Sequence, residues 1–274
     1  MAEAGPGPLY AMGSSDAEHE RLIRQAARLA PYTERFLRQA GIGPGQRILD
    51  LGSGVGDVAM LAARLAGPSG QVVGVERDAG AIERARGRAQ SAGLRNVRFL
   101  QSDVARFSCG ERFDAAIGRF ILMYLAEPGD TLRAIVECVR PGGIVAFQEP
   151  SYAPFVRLSR SVALWHDGVS LVEEALRRAG ANTEMGPALY GLFQEAGLPA
   201  PFMSLELPLG ADRDFIAWVG DTLLSLEPRI RELGLSLESL GELGTLTERL
   251  HAAISQANTV VTWQGIVSAW SRKR

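Results

Sequence analysis

The stretch that decides the fold is Arg47-Ile-Leu-Asp-Leu-Gly-Ser-Gly-Val-Gly-Asp57, followed by Val58-Ala-Met-Leu-Ala-Ala-Arg-Leu-Ala66. Ile48, Leu49 and Leu51 form the short apolar run of a buried strand. Gly52, Gly54 and Gly56 come next, and then a run of good helix formers. A strand, a glycine turn and a helix start bring backbone N–H groups up to a nucleotide-like ligand. Glycine allows that approach because it has no Cβ and tolerates positive φ. The next apolar run, Gln71-Val-Val-Gly-Val-Glu76, ends in a carboxylate 20 residues after Gly56. That spacing suits an acid that accepts hydrogen bonds from ribose hydroxyls.

Three further strands repeat the pattern of a polar carboxyl end. Val97–Leu100 runs into Gln101-Ser-Asp103, Phe113–Ile117 into Gly118-Arg119, and Gly143–Phe147 into Gln148-Glu149-Pro150. Helices near 57–66, 79–92 and 128–140 separate the strands, which implies parallel pairing and right-handed crossovers. Upstream, Ser15 and Asp16 cap a helix over about 17–30, and Thr33–Ala40 forms a second one that stops at Gly41. Downstream, Phe155, Leu158, Val162, Trp165, Val169, Val172 and Leu176 share one broad face, which predicts a single helix over 155–179 with Gly168 as a weak point. A helix at 187–197, a strand at 203–209, helices over 212–256 broken near Pro228 and Ser236, and a last strand at 259–270 complete the reading.

This set resembles the class I S-adenosylmethionine-dependent methyltransferases, in the bacterial small-molecule branch with a UbiE-like methyltransferase domain. The residues that carry the resemblance are Leu49–Asp57, Gly74–Arg77, Gln101–Asp103, Phe113-Asp114 and Arg140-Pro-Gly-Gly143. The resemblance implies an α/β, Rossmann-like, doubly wound sheet of seven strands, mostly parallel with an antiparallel last strand. Helical insertions would form a lid. The expected organisation is an N-terminal helical segment over the site at 1–45, a cofactor-binding core at 46–150, a lid insertion at 151–186, and the rest of the core at 187–274 with a helical insertion at 212–256.

The resemblance also distributes roles. Gly52, Ser53 and Gly54 would approach the methionine and ribose parts of S-adenosylmethionine, and Asp50 would reach its amino group. Glu76 would hold the ribose, Arg77 would flank the adenine, Asp103 and Val104 would meet its edge, and the Gly118 carbonyl would line the methionine end. Asp57 stands where a dinucleotide fold prefers a third glycine, and an acid there repels a pyrophosphate. Asp57 itself reads as a helix-start residue. For the acceptor, Tyr10, Arg119, Tyr124 and Tyr152 are candidate contacts, with Arg21 and Gln25 beside Tyr10 on the N-terminal segment. His166 and Glu149 are candidate bases, set against the plainer readings of a helix-surface histidine and a turn cap.

Gly118-Arg-Phe-Ile121 occupies the place where some enzymes of exocyclic base amines carry Asn/Asp-Pro-Pro-Tyr, so those substrates are disfavoured. The expected reaction is methyl transfer to an O, N or C nucleophile of a small, partly apolar molecule, in secondary metabolism, with S-adenosylhomocysteine as product. The competing readings are a protein that binds S-adenosylmethionine without transferring methyl, an NAD-binding oxidoreductase, and an RNA or protein methyltransferase.

Composition sets the outer bounds. The chain has 274 residues, 46% hydrophobic and 22% charged, with a net charge of −2. That describes a globule with a sizeable core and no basic stripe for nucleic acid. Cys109 and Cys138 form no metal or redox motif and read as separate thiols in a reducing cytoplasm. No signal peptide or membrane-length apolar run is present, so a cytoplasmic location without membrane partners is the expectation. No metal is expected, and the helical insertions leave room for a homodimer.

Overall fold

The structure, a computed structural model, describes Met12, Gly13 and residues 15–274. Helix α1, Asp16–Ala40, is followed by β1 Arg47–Leu51, α2 Asp57–Ala66, β2 Gln71–Glu76, α3 Ala79–Ser91, β3 Val97–Gln101, β4 Phe113–Arg119, α4 Pro128–Cys138 and β5 Val139–Ser151. The second half adds α5 Ala153–Leu158, α6 Ala163–Arg178, α7 Met185–Glu195, β6 Phe202–Glu206, β7 Leu209–Gly210, α8 Arg213–Glu232, α9 Leu246–Gln256, β8 Val261–Thr262 and β9 Gly265–Arg272. Seven strands make one sheet in the order β3-β2-β1-β4-β5-β9-β6. β1 to β5 pair in parallel, and β9 runs antiparallel between β5 and β6. This is the expected Rossmann-like sheet with an antiparallel final strand.

Strand alternation divides the core between the two faces. Ile48 joins Phe36, Leu37, Met60 and Ile82 on the face covered by α1, α2 and α3. Leu49 and Leu51 join the other face, which is continuous with the buried side chains of α4 and α6–α9. Each of these three β1 residues is fully buried, and burial of such a side chain stabilises by about 1.5–3 kcal/mol. The strand order reverses between β1 and β4, and the crevice at such a switch point is where open α/β sheets bind ligands.

Several expected elements differ. The two N-terminal helices are one: Ser15 caps α1 through Glu18 N–H, Gly41 ends it at φ 93°, and Pro31 lies inside. Proline costs one helical hydrogen bond there, but Leu29, Thr33, Phe36 and Leu37 are buried on either side and hold the helix through it. The single helix expected over 155–179 is broken into α5, a 3₁₀ turn at Ser159–Ser161, and α6. Ser159 Oγ donates to the Val156 carbonyl at 2.7 Å, a local bond that competes with helix. Gly168 is no weak point, because a Cβ there would come within 2.8 Å of Val219 Cγ1 where α8 crosses α6.

Helix α8 passes through Pro228 unbroken and ends before Gly234, at φ 66°. The strand expected at 203–209 splits at Pro208 into β6 on the sheet edge and β7, which pairs with β8. The last strand splits likewise, leaving Trp263 and Gln264 between β8 and β9. The expectation of two thiols is also corrected: Cys109 and Cys138 form a disulfide with Cα atoms 5.7 Å apart. Residues 29 apart in sequence meet because the end of α4 packs against the loop that enters β4. Among the described residues, no helix is long and apolar enough to cross a membrane.

Candidate active site

A cavity of about 550 Å³ opens over the carboxyl ends of β1, β2, β4 and β5. Its floor is the glycine turn. Gly52, Gly54 and Gly56 have φ of 63°, 50° and 89°, all in the left-handed region. A Cβ on Gly52 would strike Ile121 Cδ1 at 2.5 Å, whereas one on Gly54 would meet nothing within 4 Å. Gly54 therefore presents bare backbone to the cavity. Its N–H donates to Glu76 Oε2 at 2.9 Å, while Arg77 and Asp78 N–H donate to Oε1 at 2.7 and 3.0 Å. The end of β2 thus holds a carboxylate in one orientation at the cavity wall.

Of the residues assigned to the cofactor, Gly52, Ser53, Gly54, Glu76, Arg77, Asp103 and Val104 line the cavity. Asp103 also caps the turn after β3 through Ala105 N–H. Asp50 and Gly118 lie behind the lining. Asp50 is buried beneath the glycine turn with its Oδ2 unpartnered. Burial pushes its carboxyl up to about 8, against the pull of Arg119. Gly118 is demanded by packing, since a Cβ there would come within 2.7 Å of the Phe147 ring.

Of the acceptor-side residues, Arg119, Tyr124 and Tyr152 line the cavity, as do Arg21 and Gln25, and Tyr10 lies outside the described residues. Arg119 Nη1–H donates to Thr33 Oγ1, Thr33 donates to Gln148 Oε1, and Gln148 donates to Ser268 Oγ. This chain ties the end of β4 to α1, β5 and β9. Burial lowers the Arg119 pKa, while Asp57 and Asp50 act on it only through space. Burial raises the pKa of both Tyr124 and Tyr152, so both phenols stay protonated.

The two candidate bases are not at the cavity lining. Glu149 is fully buried, and its carboxylate accepts N–H bonds from Ile121, Leu122 and Met123 at 3.0, 2.8 and 3.3 Å. It shapes the turn after β4, in which Phe120 sits at φ 54°. His166 lies on α6, with Nδ1 hydrogen-bonded to Ser159 Oγ at 2.8 Å. On the segment that carries it, Phe155, Val162, Trp165 and Val169 are buried in the core.

The structure shows how the N-terminal candidates are held, and it adds His19, Asp57, Asp78, Trp218 and Gln264, which sequence reasoning did not place at the cavity. α1 roofs the cavity: Arg21 is clamped by both Glu18 oxygens and by Gln25, and Gln25 Oε1 also accepts from Trp218 Nε1–H. His19 Nε2 stands 4.0 Å from Asp78 Oδ1, which joins this roof to the start of α3. Asp57, read as a helix-start residue, lines the cavity and pairs with Arg88 at 2.6 Å. Asp78, two residues after Glu76 and the N-cap of α3, was legible as a cap. Trp218 and Gln264 carried no local signal, because only the fold brings α8 and the β8–β9 turn over β5. A more open groove of about 700 Å³ lies among Arg64, Gln71 and Arg95 at the amino ends of β2 and β3, away from all these groups.

Comparison with known proteins agrees with this geometry. A family profile described as a methyltransferase domain matches residues 42–197, more than half of the chain. The ubiquinone/menaquinone biosynthesis C-methyltransferase UbiE of Pseudomonas fluorescens is 29% identical over 126 residues, which cover 44% of this chain and 49% of that protein. The chain thus aligns with about half the length of the curated relatives it matches. The structure of the Bacillus subtilis protein YcgJ superposes with a TM-score of 0.60 at 14% identity, covering 88% of this chain and 98% of that one. A Haemonchus contortus N-methyltransferase, seen with phosphomonomethylethanolamine and S-adenosylhomocysteine, gives a TM-score of 0.54 at 16% identity, covering 89% of this chain and 52% of that one. These two share the fold. A glycine turn open to the cavity, a carboxylate fixed at the end of the second strand and a matching profile over both together place this chain in the methyltransferase domain family, among the class I S-adenosylmethionine-dependent methyltransferases.

Proposed function

We propose that this protein transfers a methyl group from S-adenosylmethionine to an O, N or C nucleophile of a small, partly apolar molecule, in secondary metabolism. The observation that supports this reading most is Glu76. Three backbone N–H groups orient its carboxylate, and a carboxylate has roughly four acceptor sites, so one remains for a ribose hydroxyl. Gly54 leaves room for the ligand beside it. Arg119, held by Thr33 but not by a carboxylate, suits the carboxylate of an amino acid head. Asp50, unpartnered at Oδ2 but set behind the lining, would reach its ammonium group through a bridging water.

When bound, S-adenosylmethionine supplies a methyl group already activated by a sulfonium. The protein's part is to align the nucleophile and exclude water. α1 and α8 roof the cavity, and its volume falls within the ~300–1,000 Å³ range of small-molecule sites. Tyr124, Tyr152 and Trp218 in the lining suit an apolar acceptor. Neither Glu149 nor His166 reaches the lining as a base, which favours an acceptor that loses its proton unaided or to water.

Calorimetry with S-adenosylhomocysteine tests the cofactor half. Glu76→Ala should weaken binding roughly 10- to 150-fold, the worth of a hydrogen bond to a charged group, and unchanged affinity would contradict the ribose assignment. Incubation with S-adenosylmethionine and candidate acceptors tests the transfer. A mass gain of one methyl with release of S-adenosylhomocysteine supports it. Tight binding of S-adenosylhomocysteine with no acceptor ever methylated favours a binding protein instead.

A further inference from the structure

Two side chains of the cavity lining carry a buried polar atom without a hydrogen-bond partner among the described residues: Ser53 Oγ and Gln264 Oε1. Ser53 belongs to the glycine turn. Gln264 stands at the far end. Glu76 ends β2 and Gln264 precedes β9, and β1, β4 and β5 lie between them. Four inter-strand spacings make roughly 19 Å. A ligand group at Gln264 is therefore not part of the nucleoside held at Glu76.

Gln264 is a rigid residue in an aromatic corner. It is 3% exposed. On one side, Trp263 N–H donates to the Pro208 carbonyl at 3.1 Å and Trp263 Nε1–H to the Phe215 carbonyl at 2.9 Å. On the other, Gly265 pairs with Ser151 in the sheet. Trp263 stacks on Phe215 at 5.0 Å and packs against Trp218 at 5.5 Å. Among the other polar side chains of the lining, Gln25 is already engaged by Arg21 and Trp218. An apolar side chain would fill this corner without the cost of an unmet amide. The missing partner is then to be supplied by a ligand.

We propose that Gln264 is the specificity-determining residue of an acceptor subsite for a hydroxyl-bearing, largely apolar ring compound. The ring lies against Trp218 and Tyr152, and its hydroxyl meets the Gln264 amide. A hydroxyl both donates and accepts, so it matches an amide in either sense. The acceptor role rests on the cofactor reading of the Glu76 half of the cavity. The hydrogen bond to Gln264 does not.

The test is a fluorescence titration with 2-naphthol, 2-methoxynaphthalene and naphthalene, with and without saturating S-adenosylhomocysteine. The wild-type protein should prefer 2-naphthol to naphthalene by about tenfold or more, because a site built to bond a hydroxyl discriminates against its absence. Gln264→Leu should cut that preference to about threefold or less, keep S-adenosylhomocysteine affinity within about twofold, and unfold at no lower temperature. Gln264→Glu, which keeps the shape and an acceptor, should retain the preference for 2-naphthol over 2-methoxynaphthalene, which has no hydroxyl to donate. A wild-type protein that treats the three probes alike, or a Gln264→Leu protein that keeps the preference, overturns the proposal. Failure to bind S-adenosylhomocysteine would sink the cofactor reading, and the titration without it would still decide Gln264.

Discussion

Gly52 and Gly54 are both left-handed, but for different reasons. Gly52 is packed against Ile121, whereas Gly54 faces open cavity. Gly52→Ala should therefore lower the unfolding free energy by about 1–3 kcal/mol through overpacking, measurable by urea denaturation. Gly54→Ala should cost only about 1 kcal/mol of stability for the positive φ. Its methyl would stand in the ligand's path, so S-adenosylhomocysteine affinity should fall by roughly tenfold, the size of a few lost contacts. Binding as tight as wild type would show that the ligand does not cross Gly54. Arg119 allows a chemically cleaner comparison. Arg119→Met should weaken S-adenosylhomocysteine about tenfold or more, because a charge-assisted pair is lost. The same variant should bind 5′-methylthioadenosine, which lacks the amino acid head, within about twofold. Equal losses for both ligands would place Arg119 elsewhere.

At the scale of the element, the turn after β4 depends on Glu149. Its three accepted N–H bonds hold Ile121, Leu122 and Met123, and they offset the strained Phe120 backbone. Burial pushes Glu149 up to about 8, opposed by those amides, as it pushes Asp50 up to about 8, opposed by Arg119. In the unfolded chain both ionise near the ordinary carboxylate value of ~4. Between these limits the folded state binds more protons than the unfolded one. Stability from these groups is thus full below that range and lost as pH rises through about 8. The urea midpoint of the ligand-free protein should fall between about pH 5 and pH 8.5, and Glu149→Gln should flatten part of that fall. A midpoint that rises across this window would mean that the amides, not burial, govern Glu149.

At the scale of the molecule, α1 and α8 are joined over the cavity by Arg24–Asp221 at 2.7 Å and Arg28–Asp212 at 2.5 Å. Such exposed pairs contribute only ~0–1 kcal/mol each. The buried contacts of Leu29, Phe215, Trp218 and Trp263 carry the roof instead. The Cys109–Cys138 bridge works on a larger scale, because it closes a loop spanning β4 and α4. By the chain-entropy account, a loop of this length is worth about 3–4 kcal/mol. Dithiothreitol should lower the unfolding free energy by about 2–4 kcal/mol, and thiol labelling of the unfolded, unreduced chain should find no free cysteine. Two labelled cysteines would remove the bridge.

The run from Arg47 to Asp57, with Glu76 and Asp103 after it, was enough to determine a Rossmann-like sheet and a cavity at its carboxyl ends lined by Gly52, Ser53, Gly54, Glu76 and Asp103. That information is local: a strand end, a glycine turn and a helix start lie within a few residues, and their spacing dictates their geometry. Glu149 and His166 could not be placed this way. Whether a side chain at a strand end turns toward the cavity or back to the amides of a neighbouring turn depends on Phe120–Met123, brought near by strand pairing. The disulfide, the unbroken α1 and the corner of the cavity lined by Trp218 and Gln264 belong to the tertiary structure for the same reason. Each joins residues far apart in sequence, and long-range packing leaves no periodic mark on the chain.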